Sequence, residues 1–350
     1  MLRPRRLGRW FFAVGIVLAA ATVVVSAATW LRPPDVPPRM PSHTIAEARD
    51  PAHPTQERQE PAVAPLAPAP QSVDDLLAMS GDDLAKADIA LVNLLCAQGL
   101  PGSEALDIPA VLKTLDKWAA RVASETRKYY PGFLRNPAEN NYSEADYRMG
   151  MLITVLQQDL GVSYNPARIS QPDFKNSKDQ FIHGMIGDAM GGTCVSMPVL
   201  YVAIGRRLGY PVKLVLAREH VFVRWDGSDE RLNIEGTGRG MNTHPDEYYR
   251  DRPLPLQDQW IERGEFLKSL SPQEELAAFL ASRGHCLNDN GRFAEARECY
   301  AAAARLHPNY QGYQHFVAVS EAFIAHRASG ATRPLRLPRS PYGDDERTDP

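Results

Sequence analysis

The chain has 350 residues, 44% of them hydrophobic, which is enough to build one or two domains with a real core. Its 39 Lys and Arg against 42 Asp and Glu leave a net charge of −3, and so small a balance excludes the basic field a nucleic-acid partner requires. Four irregularly spaced cysteines exclude a paired zinc-ligand pattern, and a chain of this size does not depend on a disulfide framework.

Residues 1–31 read as a membrane anchor or a signal segment. Arg3, Arg5, Arg6 and Arg9 precede an apolar run from Trp10 to Leu31, and about 20 such residues span a bilayer. Positive charge stays inside, so the rest of the chain is expected outside the cytoplasm: an inner-membrane protein with its folded part in the periplasm. A cleaved signal peptide is the rival reading, because Ser26-Ala27-Ala28 resembles a small-residue cleavage site. The length of the run and its flanking Trp10 and Trp30 favour the anchor. Residues 32–72 are dominated by Pro, Ala, Glu and Arg and read as a semi-rigid linker.

A helical lead-in begins at Val73. Ser80-Gly81-Asp82-Asp83-Leu84 starts or separates helices, and apolar residues recur at helical intervals over Ala87 to Leu95 and Ile108 to Tyr129. Leu112, Leu115, Trp118 and Val122 share one face. Cys96 closes an apolar helix and reads as buried and inert. Ser143 caps a further helix that carries Tyr147, Met151, Val155 and Leu160 and stops at Gly161.

The segment Gly191-Gly192-Thr193-Cys194-Val195-Ser196-Met197-Pro198 delivers a thiol to the start of an apolar helix, and helix N-termini favour the thiolate that acts as nucleophile. Pro198 is tolerated only in a first turn, so the helix that carries Cys194 cannot begin much before Thr193 or Cys194, and it is expected to end at Gly209-Tyr210-Pro211. Val212 to Ala217 then reads as a strand. His220 to Trp225 alternates as a second, Asp226 to Asp229 is turn chemistry, and Arg231 to Glu235 returns as a third. With Trp225 opposite Glu230, His220 falls opposite Glu235 and the carboxylate holds the imidazole. Thiol, imidazole and carboxylate in this order read as a cysteine-nucleophile triad. Alone, each has an inert alternative: a small buried cysteine, a core histidine, a solvated glutamate. His183 and His244 have no spaced partners and read as structural or surface residues, while Trp225, Tyr248 and Tyr249 are equally readable as cleft lining or as core and surface aromatics.

These residues resemble a known family. The Gly-Thr-Cys helix start, the Arg206-Arg207-Leu208-Gly209-Tyr210-Pro211 helix end, His220 on the next hairpin and the Asn233-Ile234-Glu235 strand are similar to the bacterial transglutaminase-like superfamily, most clearly over 142–240 and including Tyr164-Asn165-Pro166. The resemblance implies an α+β fold with a papain-type core: a Cys-bearing helix on an antiparallel sheet bearing His and Glu. It implies that Cys194 is nucleophile, His220 general base and Glu235 orienter. The third residue is more often Asp in that superfamily, and Glu reaches one methylene further. Where a papain-type enzyme carries an oxyanion-binding glutamine, six residues before the nucleophile, this chain has Asp188, so a backbone N–H or another side chain is expected to take that role. The transglutaminase-like domain with its lead-in is drawn over 73–265.

Over 266–328, Leu280, Gly284, Leu287, Ala296, Tyr300, Ala303 and Pro308 fall at the intervals of a tetratricopeptide repeat with Asn290-Gly291 at its turn. One repeat cannot bury its own faces. Its apolar surface packs on the catalytic domain, on the helix around Phe316 to Phe323, or on a protein partner, and the first role, completing the core, is the favoured one. Cys286 and Cys299 lie on opposite helices, and their pairing is left open. Residues 329–350 read as a disordered tail.

Two functions follow. One is a membrane-tethered enzyme acting on an amide or thioester carbonyl of a protein or peptide substrate through an acyl-enzyme, by hydrolysis or transfer. The other is a non-catalytic scaffold that recruits proteins through the helical repeat. Neither implies a metal or organic cofactor.

Overall fold

The computed structural model describes residues 69–170, 173–187, 191–330 and 334–343, with side chains at 169 and 170 left aside. The expected anchor and all but the last residues of the linker lie outside these, as does Asp188. No helix among the described residues is long and apolar enough to cross a membrane.

The lead-in comprises α1 (Val73–Ala78), α2 (Gly81–Lys86), α3 (Ile89–Ala97), α4 (Ile108–Arg135) and α5 (Glu144–Thr154). Each start has a side-chain oxygen that takes up a free N–H: Ser72, Ser80, Asp88, Asp107 and Ser143. The buried stripe of α4 is Val111, Leu115, Ala119, Val122 and Thr126, with Leu112 and Trp118 only partly buried at its edges. The stripe is therefore rotated slightly from the face read in the sequence. The helix also runs six residues past Tyr129, through Pro131, because Tyr130 and Phe133 pack against Tyr147, the last two rings stacked at 4.8 Å. α5 passes into a π-helical turn over Val155–Asp159 and stops at Gly161, whose φ is +75°.

A short helix, α6 (Ala167–Ser170), precedes α7 (Met197–Arg207), which is buried from Met197 to Gly205 and forms the centre of the main core. Beside it lies a four-stranded antiparallel sheet in the order β1 (Val212–Ala217), β2 (His220–Asp226), β3 (Arg231–Glu235), β4 (Asn242–Thr243). Alternation along the strands divides the sheet in two. Val212, Leu214, Val223 and Ile234 join the main core with α7. Val215, Ala217 and Phe222 face a second core, with Tyr249 of α8 (Asp246–Asp251), Trp260 of α9 (Asp258–Glu262), Phe266 and Leu267.

The C-terminal helices are α10 (Pro272–Asp289), α11 (Phe293–Leu306) and α12 (Gln311–Ser329). The first two form an antiparallel hairpin closed at Asn290-Gly291, where Gly291 takes φ +74°. Leu276, Ala277, Phe279 and Leu280 of α10 share the main core with α3 and α7, and Arg206 clasps Glu275 with two hydrogen bonds, of 2.9 and 2.5 Å. Packing and an ion pair thus cross the boundary drawn between 265 and 266. Leu267 and Leu270 donate to the Leu216 and Leu214 carbonyls at 2.9 Å, so this stretch runs along the free edge of β1. The tail also differs from expectation. α12 reaches Ser329, and Tyr342 returns to pack on Trp260 and Phe266 while its hydroxyl donates to Glu265 at 2.7 Å. All four cysteines are free.

Candidate active site

Cys194 lies in the turn before α7, three residues ahead of its first helical residue, and not inside the helix. Pro198 fits this as well as an earlier start, since it occupies the second helical position. The Thr193 hydroxyl donates to the Asp179 carbonyl at 2.7 Å, its N–H donates to Ser196 Oγ at 2.9 Å, and its own carbonyl accepts from Met197 at 3.0 Å. These bonds hold the turn open at Cys194, which is partly exposed.

Two glycines bring this turn against the chain at 163–165. Gly192 donates to the Ser163 carbonyl and accepts from Asn165, both at 2.8 Å, which makes a parallel bridge between Gly192 and Tyr164. A Cβ on Gly191 would lie 3.0 Å from the Ser163 oxygen, and one on Gly192 would lie 2.3 Å from Met197 Cγ. Only glycine permits so close an approach.

His220 opens β2 after a tight turn in which Glu219 takes φ +57°. The β2–β3 register pairs Trp225 with Leu232 and Asp226 with Arg231, two residues away from the expected pairing of Trp225 with Glu230. Glu235 is consequently diagonal to His220 and not directly opposite. An even shift keeps both side chains on one face, and diagonal partners remain within reach of long side chains. Glu235 Oε2 accepts from His220 Nε2 at 2.7 Å. His220 also lies close enough to the Cys194 thiol to interact with it, and Nδ1 is the ring nitrogen that Glu235 leaves free for it. The three residues predicted from sequence are therefore brought together.

The carboxylate is held on both oxygens. Thr237 donates to Oε1 through its N–H at 3.0 Å and its hydroxyl at 2.6 Å, and the Tyr249 hydroxyl lies 3.5 Å from Oε2. Burial alone would raise the Glu235 pKa. The facing imidazole and the hydrogen bonds from His220 and Thr237 outweigh it and hold the carboxyl below its usual range. Burial likewise pulls the His220 pKa down, but the Glu235 charge and hydrogen bonds to Cys194 and Glu235 prevail and raise it. Both shifts favour an imidazolium–carboxylate pair with Glu235 only 1% exposed.

The ring of Tyr249 lies flat on Phe222 at 3.8 Å and parallel to His220 at 6.2 Å. It is a fully buried support of the site and not a cleft wall. Tyr248 stacks on His244 at 3.8 Å. Trp225 belongs to the other face of the sheet, against Tyr210 at 5.3 Å. His183 is buried and bonded to Ser177 at 3.2 Å, a structural residue as expected. Three contacts are not legible in the sequence: those of Thr237, Tyr249 and Tyr164, the last beside Cys194. For Thr237 the only signal is its position two residues past Glu235. No cluster of three or more metal-ligating side chains occurs among the described residues.

Among curated proteins and among solved structures, nothing matches the chain. Residues 109–276, just under half of its length and including Cys194, His220 and Glu235, match the family model of the transglutaminase-like superfamily.

Proposed function

We propose that this protein is a cysteine enzyme that transfers acyl groups from amide or thioester carbonyls of a protein or peptide, to water or to an amine. The observation that carries the reading is the contact chain from the Cys194 thiol through the His220 ring to Glu235, closed by the 2.7 Å bond. The Glu235 charge makes the imidazole a stronger acceptor for the thiol proton. The sulfur attacks the carbonyl carbon, the C–S bond forms, and the π pair moves to oxygen. On collapse that pair returns, the bond to the leaving nitrogen or sulfur breaks, and the leaving group takes the proton from His220. Water or an amine then attacks the thioester, giving its proton to His220 and restoring the thiol. The basic, apolar N-terminus supports a further proposal, that the enzyme is anchored in the inner membrane with this domain in the periplasm.

The test is acylation of the full-length protein with p-nitrophenyl acetate, read by mass spectrometry, beside alkylation with iodoacetamide. An acetyl group on Cys194, absent in His220→Gln, and alkylation of Cys194 well ahead of buried Cys96, support an enzyme. Gln still offers a donor to Glu235, so this variant keeps a partner for the buried carboxylate. Labelling of Cys194 no faster than that of Cys96 would instead favour the non-catalytic scaffold. That alternative also needs a docking face on the α10–α11 hairpin, whose Leu276, Ala277 and Leu280 are already packed within the chain.

A further inference from the structure

The three triad members leave one charge unattended, the one that develops on the carbonyl oxygen during attack. Catalysis of acyl transfer rests heavily on donors aimed at that oxygen. The backbone N–H of Cys194 is one such donor by position, because it belongs to the attacking residue. A second group meets it. The bridge between Gly192 and Tyr164 runs the chain at 163–165 alongside the nucleophile turn, and a Cβ at Gly191 would already press on the Ser163 carbonyl at 3.0 Å, so the two segments have little slack between them. At the end of this contact the Tyr164 side chain lies beside Cys194, close enough to interact with both its backbone N–H and its thiol.

We propose that Tyr164 is a catalytic residue whose hydroxyl, with the Cys194 backbone N–H, binds the oxyanion of the tetrahedral intermediate. This deepens the acyl-transfer reading and rests on it. Before attack, the phenol O–H points to the sulfur and its oxygen accepts from the Cys194 N–H. As the C–S bond forms, negative charge leaves sulfur and appears on the carbonyl oxygen. The phenol O–H turns to follow it, and the oxygen takes over the backbone N–H. When the intermediate collapses, the electron pair returns to rebuild the C=O bond, and the leaving group departs with the proton from His220. Tyr164 donates a hydrogen bond throughout and loses no proton. Burial, followed by the charge at Cys194, pushes its pKa upward and keeps the hydroxyl a donor. The role fits a position that the sequence resemblance left without its usual glutamine.

The experiment compares two reactions of one thiol in the full-length protein. Iodoacetamide alkylates Cys194 at a saturated carbon and forms no oxyanion, whereas p-nitrophenyl acetate acylates it through one. Tyr164→Phe is expected to slow acylation by about 10²–10³-fold while alkylation changes little. Tyr164→Gln, which returns a donor, is expected to acylate faster than Tyr164→Phe. An equal fall in both reactions would reduce Tyr164 to holding the thiol, and unchanged or faster acylation would make it a cover over the sulfur; either outcome overturns the proposal. If wild-type Cys194 is not alkylated ahead of Cys96, the acyl-transfer reading itself fails and the role of Tyr164 with it.

Discussion

The carboxylate of Glu235 reaches the ring of His220 along the diagonal of the β2–β3 hairpin and closes on Nε2 at 2.7 Å. A diagonal separation needs length, and glutamate has one methylene more than aspartate. Glu235→Asp should therefore leave a gap at Nε2 and lower kcat/KM for p-nitrophenyl acetate by about 10²-fold, the usual cost of a misplacement near 1 Å. Glu235→Gln keeps the length and removes the charge. Its activity should fall too, but with the acidic pH limb displaced toward lower pH, since the unprotonated ring is the acceptor and the Glu235 charge is what raises His220. Equal activity of wild type and Glu235→Asp would refute the diagonal.

The same pair makes stability depend on pH. The Glu235 pKa is lowered in the fold, so its contribution is full above the unfolded value of about 4.3 and is lost as pH falls toward the folded one. The His220 pKa is raised, so its contribution is full below about 6.5 and is lost as pH rises toward the folded value. The pair supports the fold most strongly between about pH 4.3 and 6.5. Urea unfolding from pH 5 to 9 should show wild type losing stability above about pH 6.5, with a slope of at most about 1.4 kcal/mol per pH unit from this group. A doubly substituted His220→Gln, Glu235→Gln protein should lack that component of the slope.

Legibility in the sequence followed periodicity. Alternation along β2 and β3 put His220 and Glu235 on one face even though the pairing itself is displaced by two residues, because only an odd shift exchanges faces. The displacement came from the turn: Asp226 pairs with Arg231, so Gly227 to Glu230 form the loop. Tyr249 and Thr237 follow no repeat. Tyr249 arrives on a short helix after β4, and tertiary packing alone places its ring against Phe222. The start of α7 at Met197 lies within the bound that Pro198 sets, but a proline fixes a helix start only to within a turn, so the sequence does not tell that Cys194 stands ahead of the helix.

Thr237 holds Glu235 with two donors, and only the hydroxyl can be removed by substitution. Thr237→Val keeps the shape and the N–H. It should weaken the grip on Oε1, raise the Glu235 pKa and lower kcat by about tenfold, on the scale of lost outer-shell partners. Thermal unfolding should change by no more than about 1.5 kcal/mol, the net value of one hydrogen bond. A fall in stability with no fall in kcat would mean that the hydroxyl serves the fold alone.

In the α10–α11 hairpin, two glycines predict different responses to alanine. A Cβ at Gly284 would lie 2.5 Å from the Tyr300 ring, so Gly284→Ala must push α10 and α11 apart at a cost of about 1–3 kcal/mol. At Gly291 nothing stands within 4 Å, but φ is +74°, and Gly291→Ala should cost about 1–2 kcal/mol through the backbone alone. Asn tolerates this conformation, so Gly291→Asn should recover part of the loss, whereas Gly284→Asn should be worse than Gly284→Ala. Chemical denaturation of the four variants tests both mechanisms, and recovery at Gly284 would contradict the steric account.

The return of the tail at Tyr342 gives the last prediction. Its ring meets Trp260 edge-on at 5.1 Å and Phe266 at 5.4 Å, and its hydroxyl accepts from Gly312 at 3.0 Å while donating to Glu265 at 2.7 Å. Glu265 is 1% exposed and also pairs with Arg263 and with the Gln311 N–H, so the phenol is one of three groups satisfying a buried carboxylate. Tyr342→Phe removes only the hydroxyl and leaves Oε2 with the weaker donor at Gln311, a loss of about 1–3 kcal/mol. Tyr342→Ala removes the ring as well, which should destabilise further and shift the emission of Trp260 as water reaches it. The second core backs His220 and Glu235 through Phe222 and Tyr249, so loosening Trp260 and Phe266 should also reduce acylation at Cys194 in Tyr342→Ala more than in Tyr342→Phe. Equal stability and emission in all three proteins would mean that the tail only rests on the surface.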